Sequence, residues 1–308
     1  MTARTYDLVH RTTYVYDQPV TESYGVTVLT PRTLPGQRAL TTVVDIDPAP
    51  ADVAVHTDYF GNTARYFAVT TAHTRLVVTS RSTVEVARSA PDPATLPHAG
   101  WRATADAVAR ADAEGAGTDP TELVALTEMT LPSRHVAPGS EVRDWAAPTF
   151  AGDRPLADVL VELAHRIRTE LTYRSGSTTV QTTHAQLLTQ RSGVCQDFAH
   201  LMIAALRAHG LPARYASGYL ETRAAPGRPK LRGADASHAW VSAWLPGAGW
   251  LEVDPTNDAL VDDRYVLLGW GRDYADVPPL RGVIETEGRG ARPQVSVDLV
   301  PAGSAPFV

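Results

Sequence analysis

A chain of 308 residues with 44% hydrophobic side chains is long enough for two domains with cores of their own. Its formal net charge of −6 and the lack of any Lys/Arg-rich run give no basic surface for a phosphate backbone, which excludes nucleic acid as an expected partner. One cysteine cannot form an intramolecular disulfide, no apolar run is long enough to span a bilayer, and the opening MTARTYDLVHRTTYVY has no signal-peptide core, so a cytoplasmic protein without membrane contact is expected.

Residues 4 to 88 read as β-branched and aromatic runs separated by turn residues, RTYDLVHRTTYVY, YGVTVLT, ALTTVVDIDP, ARYFAVTT and TRLVVTSRSTVEV, which predicts an antiparallel β domain over residues 1–90. DYFGN at 58 to 62 is a turn in which Gly61 and Asn62 are suited to positive φ. Residues 91–153 mix Pro-rich linker with two helical stretches, WRATADAVARADA and PTELVALTEM, and serve as a connecting segment. A β domain set apart by such a linker is expected to position substrate rather than to supply catalytic groups. The remainder, 154–308, opens on a helix whose Leu156, Val159, Leu160, Leu163, Ile167 and Leu171 recur at helical spacing. A second helix starts near Cys195, carries Phe198, Leu201, Met202, Ala205 and Leu206 on one stripe, and is stopped by Gly210 in the C′ position. Strands follow at ARYASGYLE, HAWVSAWL and WLEVDPT, so the fold class is α+β.

Cys195 lies three residues before Phe198 on the same stripe, and periodicity alone fits a small buried hydrophobe. Its place in the first helical turn points the other way. Unpaired backbone N–H groups and the positive end of the helix dipole favour a thiolate there, and the same N–H groups could hold an oxyanion. Nucleophilic cysteine chemistry also needs a base and a group that orients the base. A hairpin turning about Gly247 sets Trp244 opposite Trp250, Ser242 opposite Glu252 and Trp240 opposite Asp254. Alternation then puts His238 and Asp254 on one sheet face as diagonal neighbours, although a one-residue bulge would separate them. Alone, His238 reads as a strand-end histidine bonded to the backbone and Asp254 as a turn former before Pro255. Together with Cys195 they make a complete Cys/His/Asp set. His200 and His209 share the helix with Cys195 but point away from the thiol's open side. Asp197 is accounted for by the helix dipole, though it is a second candidate for the orienting acid. With no CxxC, HxH or HExxH spacing, neither a metal nor another cofactor is expected.

SGVCQDFAHLMIAALRAHGLPARYASGYL, DASHAWVSAWLPGAGWLEVDPTN and GRDYADVPPLRG resemble the transglutaminase-like superfamily, whose core is papain-like. HRTTYVYDQPV, LTPR and DYFGN resemble the β-rich N-terminal region of its bacterial branch. The resemblance implies a nucleophile at Cys195, a base at His238 and an orienting acid at Asp254. It also implies an oxyanion hole built from the Cys195 N–H and a donor from the preceding segment, for which Tyr173 is the candidate and core packing the alternative. Gln196 stands where animal transglutaminases carry tryptophan, and their calcium-dependent multidomain layout has no counterpart here; Gln196 and Trp240 are the further candidates for substrate contacts. The expected activity is attack on a peptide, protein or small amide carbonyl through a thioester that mostly passes to water. Transfer to an amine, with Trp240 and Trp244 forming one wall, and a catalytically silent peptide-binding module are the alternatives.

Overall fold

β-branched and aromatic residues alternate with polar ones from the first strand onward, and this pattern builds the larger of two antiparallel sheets. The computed structural model describes residues 3–114, 120–222 and 237–303. The seven-stranded sheet is laid down by β1 (Arg4–Thr27), β2 (Gln37–Asp47), β3 (Asp52–Thr57), β4 (Thr63–Val69) and β5 (His73–Val86) in the order β2-β5-β1-β4-β3. RTYDLVHRTTYVY and YGVTVLT, read separately in the sequence, are one continuous strand bent by register shifts around Val20. In the 58 to 62 turn only Gly61 takes positive φ, at 77°. Asn62 keeps an ordinary backbone and is fixed by its side chain, which donates to Asp58 Oδ2 (2.9 Å) and to the Trp270 carbonyl (2.8 Å) and accepts from Arg32 (2.7 Å).

Helices α1 (Trp101–Glu114), α2 (Pro120–Glu128), α3 (Ser140–Ala146) and α4 (Leu156–Glu170) follow. Then come β6 (Thr172–Tyr173), α5 (His184–Gln190), β7 (Ser192–Gly193) and α6 (Cys195–Arg207). The anticipated face of α4 is the buried one: Leu156, Val159, Leu160, Leu163 and Ile167 have almost no exposure, and Leu171 follows them into the core. α6 is buried on every face, from Asp197 to Arg207, because helices flank it and a sheet lies beneath it. A Schellman motif closes it, with Leu211 N–H on the Leu206 carbonyl (3.1 Å), Gly210 N–H on the Arg207 carbonyl (3.0 Å) and Gly210 at φ 73°. The second sheet, ordered β11-β10-β9-β8-β12, comprises β8 (Ala213–Leu220), β9 (Ser237–Leu245), β10 (Gly249–Asp254), β11 (Ala259–Leu260) and β12 (Tyr265–Gly271). β9 and β10 pair in the anticipated register, Trp244 with Trp250 and Ser242 with Glu252.

The division of the chain differs from the sequence expectation in two ways. Residues 91–153 are more than a connector: Leu96, Val136, Val142, Ala146 and Phe150 belong to the same core as α4 and α6. The segment 154–308 is not one unit either, since β13 (Leu280–Thr286) and β14 (Gln294–Pro301) return to pair antiparallel with β1. The residues of β1 that pair with β5 and β4 still have a second edge of backbone groups to satisfy, and β14 and β13, the last strands of the chain, pair with it.

Alternation along β8 locates the junction. Tyr215, Ser217 and Tyr219 share one face; Tyr215 packs in the helical core, Tyr219 packs with Tyr6, Leu8 and Val78 of the larger sheet, and Ser217 lies between. The two halves therefore press on one strand face and part above Ser217. No helix among the described residues is long and apolar enough to cross a membrane.

Candidate active site

The gap above Ser217 is a cleft of about 300 Å³. Cys195, Gln196, Tyr173, His238 and Tyr215 line it from the helical half, and His10, Thr12, Tyr14, Pro293 and Val295 line it from the larger sheet.

Local structure places the thiol at its mouth. The parallel pair of β6 and β7 aligns Tyr173 with Gly193, which brings Tyr173 beside the turn that enters α6. Gly193 keeps that turn close to its neighbours, since a Cβ there would stand 2.7 Å from a Leu187 methyl and 3.0 Å from Asp197 Oδ2, and one of them would have to shift. Asp197 Oδ2 accepts from the Val194 N–H (2.8 Å) and from the Thr178 hydroxyl (2.6 Å), capping the helix start; burial raises its pKa against those bonds. This cap accounts for Asp197 fully. The first-turn amides of Cys195 and Gln196 have no carbonyl partner inside the helix and stand next to the half-buried thiol.

His238 and Asp254 lie on one face of the hairpin, Nε2 to Oδ2 2.7 Å. Asp254 is fully enclosed, and every lone pair finds a donor. Its Oδ2 also accepts from Tyr265 Oη (2.8 Å) and Asn257 Nδ2 (2.6 Å), and its Oδ1 accepts from the backbone N–H of Thr256 (2.8 Å) and Asn257 (3.3 Å). Burial alone would raise this carboxyl, but the bonds from His238, Asn257 and Tyr265 outweigh it and hold the pKa below the usual carboxylate value. For His238, burial opposes the charged form while the hydrogen bonds to Asp254 and Cys195 favour it, and the balance lifts the imidazole to about 10. With Nε2 engaged by Asp254, Nδ1 is the ring nitrogen left for the thiol.

Tyr173 and Gln196 share the cleft with Cys195, Tyr173 half exposed at its rim and edge-on to Phe198 (6.4 Å). Trp240 does not reach the cleft. It is fully buried, packs edge-on against Tyr265 (5.4 Å) and donates from Nε1 to Glu252 (3.1 Å), because its position on β9 carries it behind His238 toward a separate small core. Trp244 does not line the cleft either. His200 accepts from the Tyr274 N–H (3.2 Å) and His209 stacks on Phe150 (3.7 Å), so both have packing roles. Sequence reasoning missed Asn257, Tyr265 and the β1 wall. The one signal for the wall was polar His10 and Thr12 at inward positions of a strand whose other inward residues, Tyr6 and Leu8, are core. Residues 235 and 236 of the DASHAW motif lie outside the described residues.

Residues 6–85 match the Bacterial transglutaminase-like N-terminal region and residues 143–255 match the Transglutaminase-like superfamily. "Uncharacterized protein Rv2569c" of Mycobacterium tuberculosis is 48% identical over 96% of this chain and 92% of its own length. The "Protein-glutamine gamma-glutamyltransferase" of Pseudomonas aeruginosa is 45% identical over 103 residues, 31% of this chain and 15% of that protein. A crystal structure described as "a Putative Cysteine Protease from Cytophaga hutchinsonii" superposes with a TM-score of 0.73 at 21% identity, covering 100% of this chain and 94% of that one, and so shares the fold. The chain belongs to the transglutaminase-like superfamily, a family of cysteine-dependent enzymes, and carries the β-rich N-terminal region of its bacterial branch.

Proposed function

We propose that the protein is an acyl-transfer enzyme in which Cys195 attacks an amide or peptide carbonyl, His238 manages the proton and Asp254 orients His238. The observation that carries this reading is the placement of His238 between a buried, fully bonded carboxylate and the helix-start thiol. The proton shared by Cys195 and His238 resides on the imidazole at neutral pH, and the thiolate adds to the carbonyl carbon. The resulting oxyanion lies against the first-turn amides of α6, with Tyr173 as a further donor at the rim. Collapse of this adduct breaks the C–N bond, His238 returns the proton to the leaving nitrogen, and a thioester remains on Cys195. Water then adds with His238 as base, the C–S bond breaks, and acid and free thiol are released. A catalytically silent binding module has no use for a five-donor cage around Asp254.

Water is favoured as acceptor by the polar lining of the cleft, Gln196, Ser217 and Ser237. Transfer to an amine is the second reading, supported by Tyr14, Tyr173, Tyr215 and Tyr274 around the same cleft and by the likeness to the Pseudomonas enzyme. Intact-mass measurement after mixing with a p-nitrophenyl acyl ester is expected to show one acyl group on Cys195, absent in Cys195→Ala. Adding a primary amine and quantifying acid against amide separates the two fates; amide as the main product at millimolar amine would overturn the hydrolytic reading. No adduct on Cys195 would overturn both.

A further inference from the structure

We infer that Thr12, on the N-terminal sheet, is a substrate-binding donor whose hydroxyl proton is directed into the cleft by Tyr219 and His10, and that it recognises a carbonyl oxygen of an uncharged, peptide-like acyl group. This rests on the acyl-transfer reading above. It assigns to the β domain a specific contact.

Three groups form a chain. Tyr219 Oη lies 2.7 Å from His10 Nδ1, and His10 Nε2 lies 3.1 Å from Thr12 Oγ1. Both rings are buried, and burial holds His10 at about 4, so the imidazole is neutral at physiological pH with one N–H and one bare nitrogen. Which nitrogen carries the proton follows from Tyr219. Its phenol is fully enclosed and its pKa is raised by burial, so it keeps its proton; among the described residues His10 is its only side-chain partner. A buried hydroxyl proton needs an acceptor, so Tyr219 donates to Nδ1. The proton of His10 is then on Nε2, and it is donated to Thr12 Oγ1. Thr12 has its lone pair occupied from behind and no protein acceptor for its own proton among the described residues. Thr12 is 3% exposed and lines the cleft, so an acceptor for its Oγ–H is left to whatever fills that space.

The rest of the lining indicates what that is. Among the described residues no Asp, Glu, Lys or Arg lines the cleft, and the only charge beside the thiol is that of His238. A charged acyl chain would lose its hydration with no partner to replace it, whereas an amide carbonyl meets a fixed donor. Tyr14, two residues along β1 on the same face, offers an aromatic wall beside it.

The test compares two p-nitrophenyl esters of equal chain length, N-acetylglycylglycyl, which carries amide carbonyls, and octanoyl, which carries none. Thr12→Val is expected to lower kcat/KM for the peptide-like ester about tenfold, mostly through KM, and to leave the octanoyl ester within about twofold, with Thr12→Ser restoring the peptide-like rate. Tyr219→Phe is expected to reproduce much of that loss from a position outside the cleft, since the imidazole is then free to take its proton on Nδ1 and accept from Thr12. The double variant Thr12→Val/Tyr219→Phe is expected to be no slower than Thr12→Val alone. Equal losses on both esters, full activity of Tyr219→Phe, or additive losses in the double variant would overturn the assignment while leaving the acyl-transfer reading in place. Absence of Cys195-dependent turnover of either ester would overturn that reading, and this one with it.

Discussion

Replacing Asp254 by asparagine alters one atom and should affect three measurable properties. Asp254 Oδ2 receives three donors, from His238, Asn257 and Tyr265, and Oδ1 receives two backbone N–H groups. An amide has one oxygen, so in either orientation its NH₂ faces donors that have no other acceptor. One such buried mismatch costs about 1–3 kcal/mol of stability. Loss of the carboxylate also removes the main support for the His238 proton, and burial then dominates; the imidazole should fall from about 10 toward or below its ordinary 6.5. The alkaline limb of kcat/KM against pH, which reports His238 in the free enzyme, should move down by the same interval. Turnover at neutral pH should drop on the order of a thousandfold, because the ring is no longer oriented and no longer holds the proton needed by the leaving group. The assay is the pH profile of ester and amide turnover with circular dichroism as the control for folding. An unmoved alkaline limb, or activity within about tenfold of the parent, would refute the orienting role of Asp254.

The same proton makes stability depend on pH. The folded protein holds it up to about pH 10 while an unfolded imidazole releases it near 6.5, so the stabilisation is complete below 6.5 and is lost as pH rises to about 10. Urea unfolding at pH 6 and pH 9.5 should show the decline, and Asp254→Asn should flatten it. Arg207, buried at the end of α6, donates to the carbonyls of Met129, Leu131, Ala213 and Arg272. Arg207→Met removes the guanidinium from these carbonyls, of which Met129 keeps another donor, the Ala213 N–H (3.1 Å), and should cost about 3 kcal/mol in a urea titration; a loss under about 1 kcal/mol would show that water replaces the guanidinium. Deleting residues 1–90 should give an insoluble or unfolded remainder, because Tyr219, Val266 and Leu268 lose their cover and β13 and β14 lose β1. Each large apolar side chain uncovered costs about 1.5–3 kcal/mol, and a truncated protein with a cooperative thermal transition would refute the shared core.

What the sequence disclosed depended on how local the cause was. The α4 stripe and the β9–β10 register were legible because each follows from a period and one turn, and the same alternation brought His238 and Asp254 together across sixteen residues of chain. Helix-start placement of Cys195 was legible for the same reason. Tyr265 and Asn257 escaped notice since their bonds to Asp254 depend on how β11 and β12 fold back, which no periodicity encodes. Trp240 misled because alternation fixes the face of a residue and not its distance along the strand: it shares the His238 face but lies deeper, beneath Tyr265.

β13 and β14 escaped for a related reason. LRGVIET and QVSVDLVP alternate only briefly, and pairing with a strand more than 250 residues earlier is decided by the unpaired backbone of β1 rather than by their own composition. That late pairing has a functional consequence. Pro293 and Val295 reach the cleft only because β14 has closed on β1, and the same closure buries His10 between Val297 and Ser80. Burial is what keeps His10 neutral and able to pass an N–H to Thr12 while accepting from Tyr219. The wall facing Cys195 is therefore completed by the last strand of the fold, and a sequence reading that assigned 1–90 and 154–308 to separate units could not have assembled it.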